Sequence, residues 1–229
     1  MQKGFSLVEM LVASLFSGLI LLSASQGLAT LIKFQTNQSE LVRLQERSNL
    51  AETALKNAIY QAQNVLTAGA ATANYPNFSQ QTRLLGYPKN SPINFNQFAS
   101  SDWLLLSTGQ STKKRSLFHL DKKTYGFGLA FKDFRKATPR SDTLVNQVEL
   151  VRFRFFCQDS QSWISASEAR QCSQKISSVG FSVLLASSLA VSKTQANQFT
   201  LWGKQYAFPK DGRLRQVVSA TVQLAGGSK

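Results

Sequence analysis

The hydrophobic pattern sets the first third of the chain apart from the rest. From Met10 to Ile32 there is no charged residue, and Glu9 and Lys33 are the only charges between residue 5 and about residue 34. About 20 apolar helical residues cross the hydrocarbon core of a bilayer, so this run predicts a membrane-spanning helix. Ser14, Ser17, Gly18, Ser23, Ala24, Ser25 and Gly27 lie within it. Small residues of that kind let apolar helices approach closely, although a plain single-span anchor needs no such pattern. Behind Lys33, the residues Leu41, Leu44, Ala51, Leu55, Ala58, Ile59 and Ala62 recur at spacings near three and four, with Glu40, Arg43, Glu46, Arg47, Glu52 and Lys56 between them. This period predicts an amphipathic helix with one face to bury. No proline interrupts residues 5–65, so a single helix about 90 Å long is expected at a rise of 1.5 Å per residue.

The pattern changes after residue 66. Residues 67–101 are rich in Ala, Gly, Asn, Gln and Pro and predict a long surface connection. Trp103–Ser107 is a short apolar run expected as a buried strand. Residues 116–120 and 125–131 flank the polar stretch Asp121-Lys122-Lys123-Thr124 and predict a hairpin. Residues 144–156 alternate, with Val148, Leu150, Arg152, Arg154 and Phe156 on one parity and Glu149, Val151, Phe153 and Phe155 on the other. This reads as one strand with a wet face. Further strands are expected over 179–185, 199–208 and 214–224, with a turn at Pro209–Gly212. A long helix followed by antiparallel strands is the order of an α+β fold. The expected divisions are a leader over residues 1–4, a membrane helix over 5–34, an amphipathic helix over 35–66 packed on the head, and a β-rich head over 67–229.

Charge and cysteine content alter this picture in two ways. Lys and Arg number 26 against 12 for Asp and Glu, a formal net charge of +14. Such a surface favours anionic partners, whether nucleic acid, lipid headgroups or acidic protein faces. Basic groups cluster at Lys113-Lys114-Arg115, Lys122-Lys123 and Lys132 to Arg140, where Phe131 and Phe134 interleave. Basic residues with aromatics can bind single strands, and basic hairpin tips also serve simply to keep a sheet soluble. Cys157 and Cys172 are the only cysteines. In an exported domain they can form one disulfide; the alternative is two free thiols.

The chemistry of an active site is missing from the sequence. His119 is the only histidine and alternates within an apolar strand. A Ser-His-Asp triad would have one candidate base and no supporting serine motif. Gly126-Phe127-Gly128 lacks the third glycine of a dinucleotide fingerprint and opens no helix. Asp102, Asp121, Asp133, Asp142 and Asp211 fall near strand ends and turns, where Asp commonly bonds local backbone. No enzymatic activity, cofactor or metal is expected.

The front of the chain carries the informative motif. Lys3-Gly4-Phe5-Ser6-Leu7-Val8-Glu9 resembles the class III signal of type IV prepilins and pseudopilins. The resemblance implies cleavage between Gly4 and Phe5 by a prepilin peptidase that also N-methylates Phe5. It implies that Glu9, the fifth mature residue, pairs with the terminal amine of a neighbouring subunit. A carboxylate in apolar surroundings is tolerable only when an opposite charge meets it. Leu44-Gln45-Glu46, the Ala-rich stretch behind it and the C-terminal strand at 215–224 resemble the PilW/PpdB-like minor pilins and the J-type minor pseudopilins. The C-terminal strand departs from many PilW-like chains, which end it in Arg-Asn where this one has Ala225-Gly226. The fold implied is pilin-like. The role implied is a minor pilin in assembly or initiation of a type IV pilus, in a tip or priming complex. The alternatives are a J-type pseudopilin of a type II secretion system and a DNA-contacting subunit of a competence pilus. The partners implied are the peptidase, other minor and major pilins, the inner-membrane assembly platform and membrane lipid. The leader would be cytoplasmic and the head periplasmic.

Overall fold

The computed structural model describes residues 7–62, 64–70, 101–107, 115–123, 126–133, 141–158, 160–166, 168–172, 176–191 and 197–225. The chain forms two compact units, Met1–Val42 and Arg43–Lys229. One helix, α1 (Leu7–Gln61, 55 residues), supplies the first unit and the opening of the second. It ends at Gln61, earlier than the pattern suggested. Ala62 N–H still donates to the carbonyl of Ile59 at 3.1 Å as the chain leaves the last turn.

Among the described residues eleven strands follow: β1 (Asn64–Ala70), β2 (Asp102–Ser107), β3 (Arg115–Lys123), β4 (Gly126–Asp133), β5 (Ser141–Asn146), β6 (Val148–Cys157), β7 (Ser162–Ser165), β8 (Ile176–Ala190), β9 (Gln198–Leu201), β10 (Lys204–Ala207) and β11 (Arg213–Gln223). They make a five-stranded sheet in the order β1-β2-β3-β4-β5, a four-stranded sheet in the order β11-β8-β6-β7, and the β9–β10 hairpin. Every pairing is antiparallel. The molecule is thus α+β, a long N-terminal helix with antiparallel sheets behind it.

Within the second unit, Leu44, Ser48, Ala51, Leu55, Ile59 and Ala62 form the buried stripe of α1. Their spacing of three and four keeps them on one face. All but Ser48 join one core with Leu104, Leu106, Phe118, Leu120 and Leu129 of the five-stranded sheet and Val151, Phe153, Phe155, Val179, Phe181 and Val183 of the four-stranded sheet. Leu41, expected in the stripe, is 47% exposed, whereas Glu40 is buried. Leu41 lies about five turns before the buried Ile59 and on the same side of the helix, so its exposure is not a matter of helical phase.

Four expectations are corrected by the pairing. Residues 67–70, read as a surface connection, belong to β1, where Gly69 faces Trp103 and Thr67 faces Leu105. Their small side chains carry little strand preference of their own, and pairing with β2 decides the conformation. The rest of that expected connection, residues 71–100, lies outside the described residues. Asp121–Lys123 continue β3, so the hairpin turn is shorter than the polar stretch implied. Residues 144–156 are not one strand. Gln147 adopts φ 61°, which breaks the extended backbone and passes the chain from β5 in one sheet to β6 in the other. Residues 199–208 fold back on themselves, because Trp202 (φ 50°) and Gly203 (φ 78°) place both centre positions of a two-residue turn in the left-handed region, as a type I′ hairpin requires.

The face of β6 expected to be wet is half-buried. Leu150 and Leu184 on that side meet Leu201, Tyr206 and Phe208 of the β9–β10 segment in a second, smaller core. Cys157 and Cys172 are joined in a disulfide, with a Cα–Cα distance of 5.9 Å. It ties the end of β6 to a short 3-10 turn at Ala169–Cys172.

Candidate functional site

Every residue from Leu7 to Thr36 in α1 is exposed. The exposed side chains include Leu7, Val8, Leu11, Leu15, Phe16, Leu19, Ile20, Leu22, Leu28 and Ile32, which cover all sides of the helix. An all-round apolar helix is stable only when lipid or other helices cover it. This one is long and apolar enough to cross a membrane. Its polar atoms suit that setting. Ser14 Oγ donates to the carbonyl of Leu11 (2.9 Å), Ser17 to Ala13 (2.8 Å), Ser23 to Ile20 (2.9 Å), Ser25 to Leu22 (2.8 Å) and Thr30 to Gln26 (2.9 Å). All five hydroxyls between Leu7 and Ile32 are therefore satisfied within the helix, as a water-free medium demands. Apart from the neighbouring turns of the helix itself, nothing lies within 4 Å of where a Cβ would stand on Gly18 or Gly27. Nothing among the described residues explains these two helix-weakening residues.

Glu9 stands in the first turn of α1, exposed, at the positive end of the helix dipole. It is the one carboxylate among the residues from Leu7 to Phe34. Gly4 and Phe5, the expected cleavage and methylation positions, lie outside the described residues.

Within the second unit, α1 is fixed to the sheet by polar contacts as well as by packing. Arg47 Nη2 donates to Ser188 Oγ at 3.1 Å, and the Ser48 hydroxyl donates to Gln216 Oε1 at 3.1 Å. A charge network locks the strands beneath. Glu149 of β6 accepts from Arg215 Nε at 2.6 Å and from Arg213 Nη1 at 3.0 Å. Arg215 also holds Asp211 at 2.9 Å, and Arg213 donates to Gln147 Oε1 at 2.6 Å. Burial pushes the Asp211 carboxyl up, but hydrogen bonds from Arg215 and the Arg213 N–H outweigh it and hold the group below its ordinary value.

A second brace joins the two large sheets. Where β7 does not cover β6, the Phe153 N–H donates to Asp102 Oδ2 at 2.8 Å and the Val151 N–H to Ser101 Oγ at 3.2 Å. Arg152 Nη1 meets Asp102 Oδ1 at 2.8 Å. Burial pushes the Asp102 carboxyl above the usual carboxylate range, against the opposing pull of Arg152 and the Phe153 N–H. Asp102 had been expected to bond local backbone, yet its partners are 50 and 51 residues away. Asp211 does make the local bond expected of it, to the Arg213 N–H at 3.1 Å.

The other sequence candidates disperse. His119 is buried in β3 opposite Ala130. Lys132, read as part of a basic tip, is buried in β4, where desolvation lowers its pKa. Lys113, Lys114 and residues 134–140 lie outside the described residues. Among the described residues no cluster of His, Cys, Asp or Glu has the makings of a metal site. The sequence reading missed both ion networks and the indole pair Trp163–Trp202, whose rings lie 6.4 Å apart. Only the odd placement of Arg152 and Arg154 on a mostly apolar strand hinted at buried partners.

No family model matches the sequence, and no curated protein matches it. Among solved structures, the chain is similar to the type IV-like pilin TTHA1219 from Thermus thermophilus, with 14% identity over 82% of this chain and 100% of that one, at a TM-score of 0.47. A likeness that distant transfers neither a role nor a residue.

Proposed function

We propose that this protein is a type IV pilin-like subunit, a minor pilin that takes part in pilus assembly or initiation. The observation that carries the reading is α1 itself. An all-round apolar helix, with every hydroxyl between Leu7 and Ile32 bonded inward and one carboxylate in its first turn, runs without a break into the buried stripe of a β head. An anchor alone has no use for Glu9, which is costly in lipid. A helix that must also enter a bundle of its own kind does. There Glu9 offsets the terminal amine of a neighbouring Phe5, and Gly18 and Gly27 allow close approach.

In this reading a prepilin peptidase cuts between Gly4 and Phe5 and methylates the new terminus. The helix resides in the inner membrane with the head periplasmic, then transfers through the assembly platform into a filament with other minor and major pilins. The test is the mass of the protein isolated from its native membrane. The expected product starts at Phe5 and carries one methyl group; an intact chain starting at Met1 contradicts the reading. A deletion strain scored together for pili, DNA uptake and protein secretion separates a pilus role, which is expected, from a secretion pseudopilus.

A further inference from the structure

The side of the four-stranded sheet opposite α1 holds an aromatic shelf beside a bed of uncharged polar groups. Pairing sets Trp163, Phe156, Ser178 and Gln223 in one row across the sheet, and Arg154, Gly180 and Thr221 in the next. Directly paired residues share a face, so all of these lie on one side. The tip of the β9–β10 hairpin leans onto this face, with the Trp202 carbonyl accepting from Arg154 Nη2 at 2.6 Å. A Cβ on Gly180 would stand 3.0 Å from Trp202 Cη2 and Cζ2 and 3.4 Å from Trp163 Cζ3. The absent side chain thus lets both indoles settle on the sheet. Their rings are near parallel, at 18°. Trp163 remains 41% exposed, a large apolar surface left open.

Charge decides what such a surface would hold. The chain is strongly basic overall, but the cations near this face are committed. Arg152 is paired with Asp102 at 2.8 Å, and Arg213 and Arg215 are paired with Glu149 and Asp211. Arg154 is bonded to a carbonyl and lies within electrostatic reach of Glu168. Lys204 is the exposed cation, 5.8 Å from the Tyr206 ring. A polyanion needs a run of free cations along its backbone as well as rings to stack on, and among the described residues this face does not offer one. Next to the indoles stand Thr221 and Gln223, both exposed, and Ser178, half-buried. Indole faces are electron-rich and pack against the C–H faces of sugar rings, while hydroxyl and amide groups exchange hydrogen bonds with sugar hydroxyls.

We propose that this face, from Trp163 and Trp202 across Gly180 to Thr221 and Gln223, binds an uncharged or N-acetylated hexose chain. The test uses full-length protein in lauryldimethylamine oxide micelles, which carry no sugar headgroup, with chitohexaose, cellohexaose and a single-stranded oligothymidine as probes. Indole emission and calorimetry report binding. At least one of the two hexasaccharides is expected to bind saturably below about 10 mM, the affinity range of a few stacked groups, with little dependence on salt. Trp163→Ala is expected to weaken it about tenfold, the value of one lost ring contact. Thr221→Tyr, an exposed change that leaves the core alone, is expected to weaken it as well by filling the bed. Absence of saturable binding by both sugars overturns the proposal. So does sugar binding that neither variant weakens. Binding of oligothymidine alone, falling steeply with salt, also overturns it in favour of nucleic acid. The helix of the first unit has no part in this test, so its outcome is independent of the pilin reading.

Discussion

Arg215 shows how much of the head depends on single side chains. Its side chain is 1% exposed and faces Glu149, itself 6% exposed. A buried pair gains little over an apolar one, but removing one partner costs what the other charge then lacks. Glu149 keeps Arg213 at 3.0 Å, so Arg215→Met is expected to destabilise the protein in urea titrations by less than a fully stranded charge would, which costs about 3–5 kcal/mol, and Arg215→Met with Glu149→Leu by clearly less again. Equal losses would show that Arg215 acts through packing alone. Two carboxylates of this region titrate with opposite sign. Asp211 has a folded pKa below its unfolded one, so it contributes stability above the ordinary carboxylate range, lost as pH falls through the folded value. Asp102, raised chiefly by burial, favours folding at low pH and loses that contribution as pH rises through its raised value. Stability measured against pH should thus lose part of its acid limb in Asp211→Asn. In Asp102→Asn, stability relative to the parent should rise as pH climbs through the carboxylate range. These networks were illegible in the sequence because Arg215 and Glu149 stand 66 residues apart. An ion pair leaves no periodic trace.

At the scale of elements, the helix and most strands were readable, and the failures have physical causes. The stripe of α1 follows from the helical period, which the sequence states directly. The break at Gln147, where φ turns positive, left only a faint trace, a lapse of the alternation at Leu144-Val145-Asn146-Gln147, two apolar and then two polar residues. The turn at Trp202–Gly203 was hidden by the bulky apolar residues around it, although Gly203 was the available signal. Strand β1 draws its conformation from β2 and not from its own Ala- and Gly-rich sequence. The disulfide ties the end of β6 to the 3-10 turn beyond β7. Closing a loop of about fifteen residues is worth roughly 3 kcal/mol in the chain-entropy model. Replacing Cys157 and Cys172 by Ser should lower the unfolding free energy by about that amount. Because β7 is short and carries Trp163 on Phe156, indole emission should change before global unfolding. A cysteine-free protein with unchanged stability and emission would show that the sheet holds this segment unaided.

The whole molecule places two demands on one helix. The segment Arg43–Gln61 is built into the core of the head, whereas the segment from Leu7 to Ile32 offers lipid or other helices an apolar surface with satisfied hydroxyls. Such a helix can be stored in a membrane and then packed in a filament without exposing backbone or hydroxyl groups to an apolar phase. In the proposed reading, Glu9 is the group that separates these two states, since lipid would penalise it and a neighbouring amine would accept it. The decisive measurement is the amount of Glu9→Ala protein in sheared filaments relative to the membrane fraction, compared with the parent chain. Filament content should fall by about tenfold or more, as expected when a buried charge loses its counter-charge, while cleavage and membrane content stay at the parental level. Incorporation of Glu9→Ala into filaments at the parental level would contradict the account.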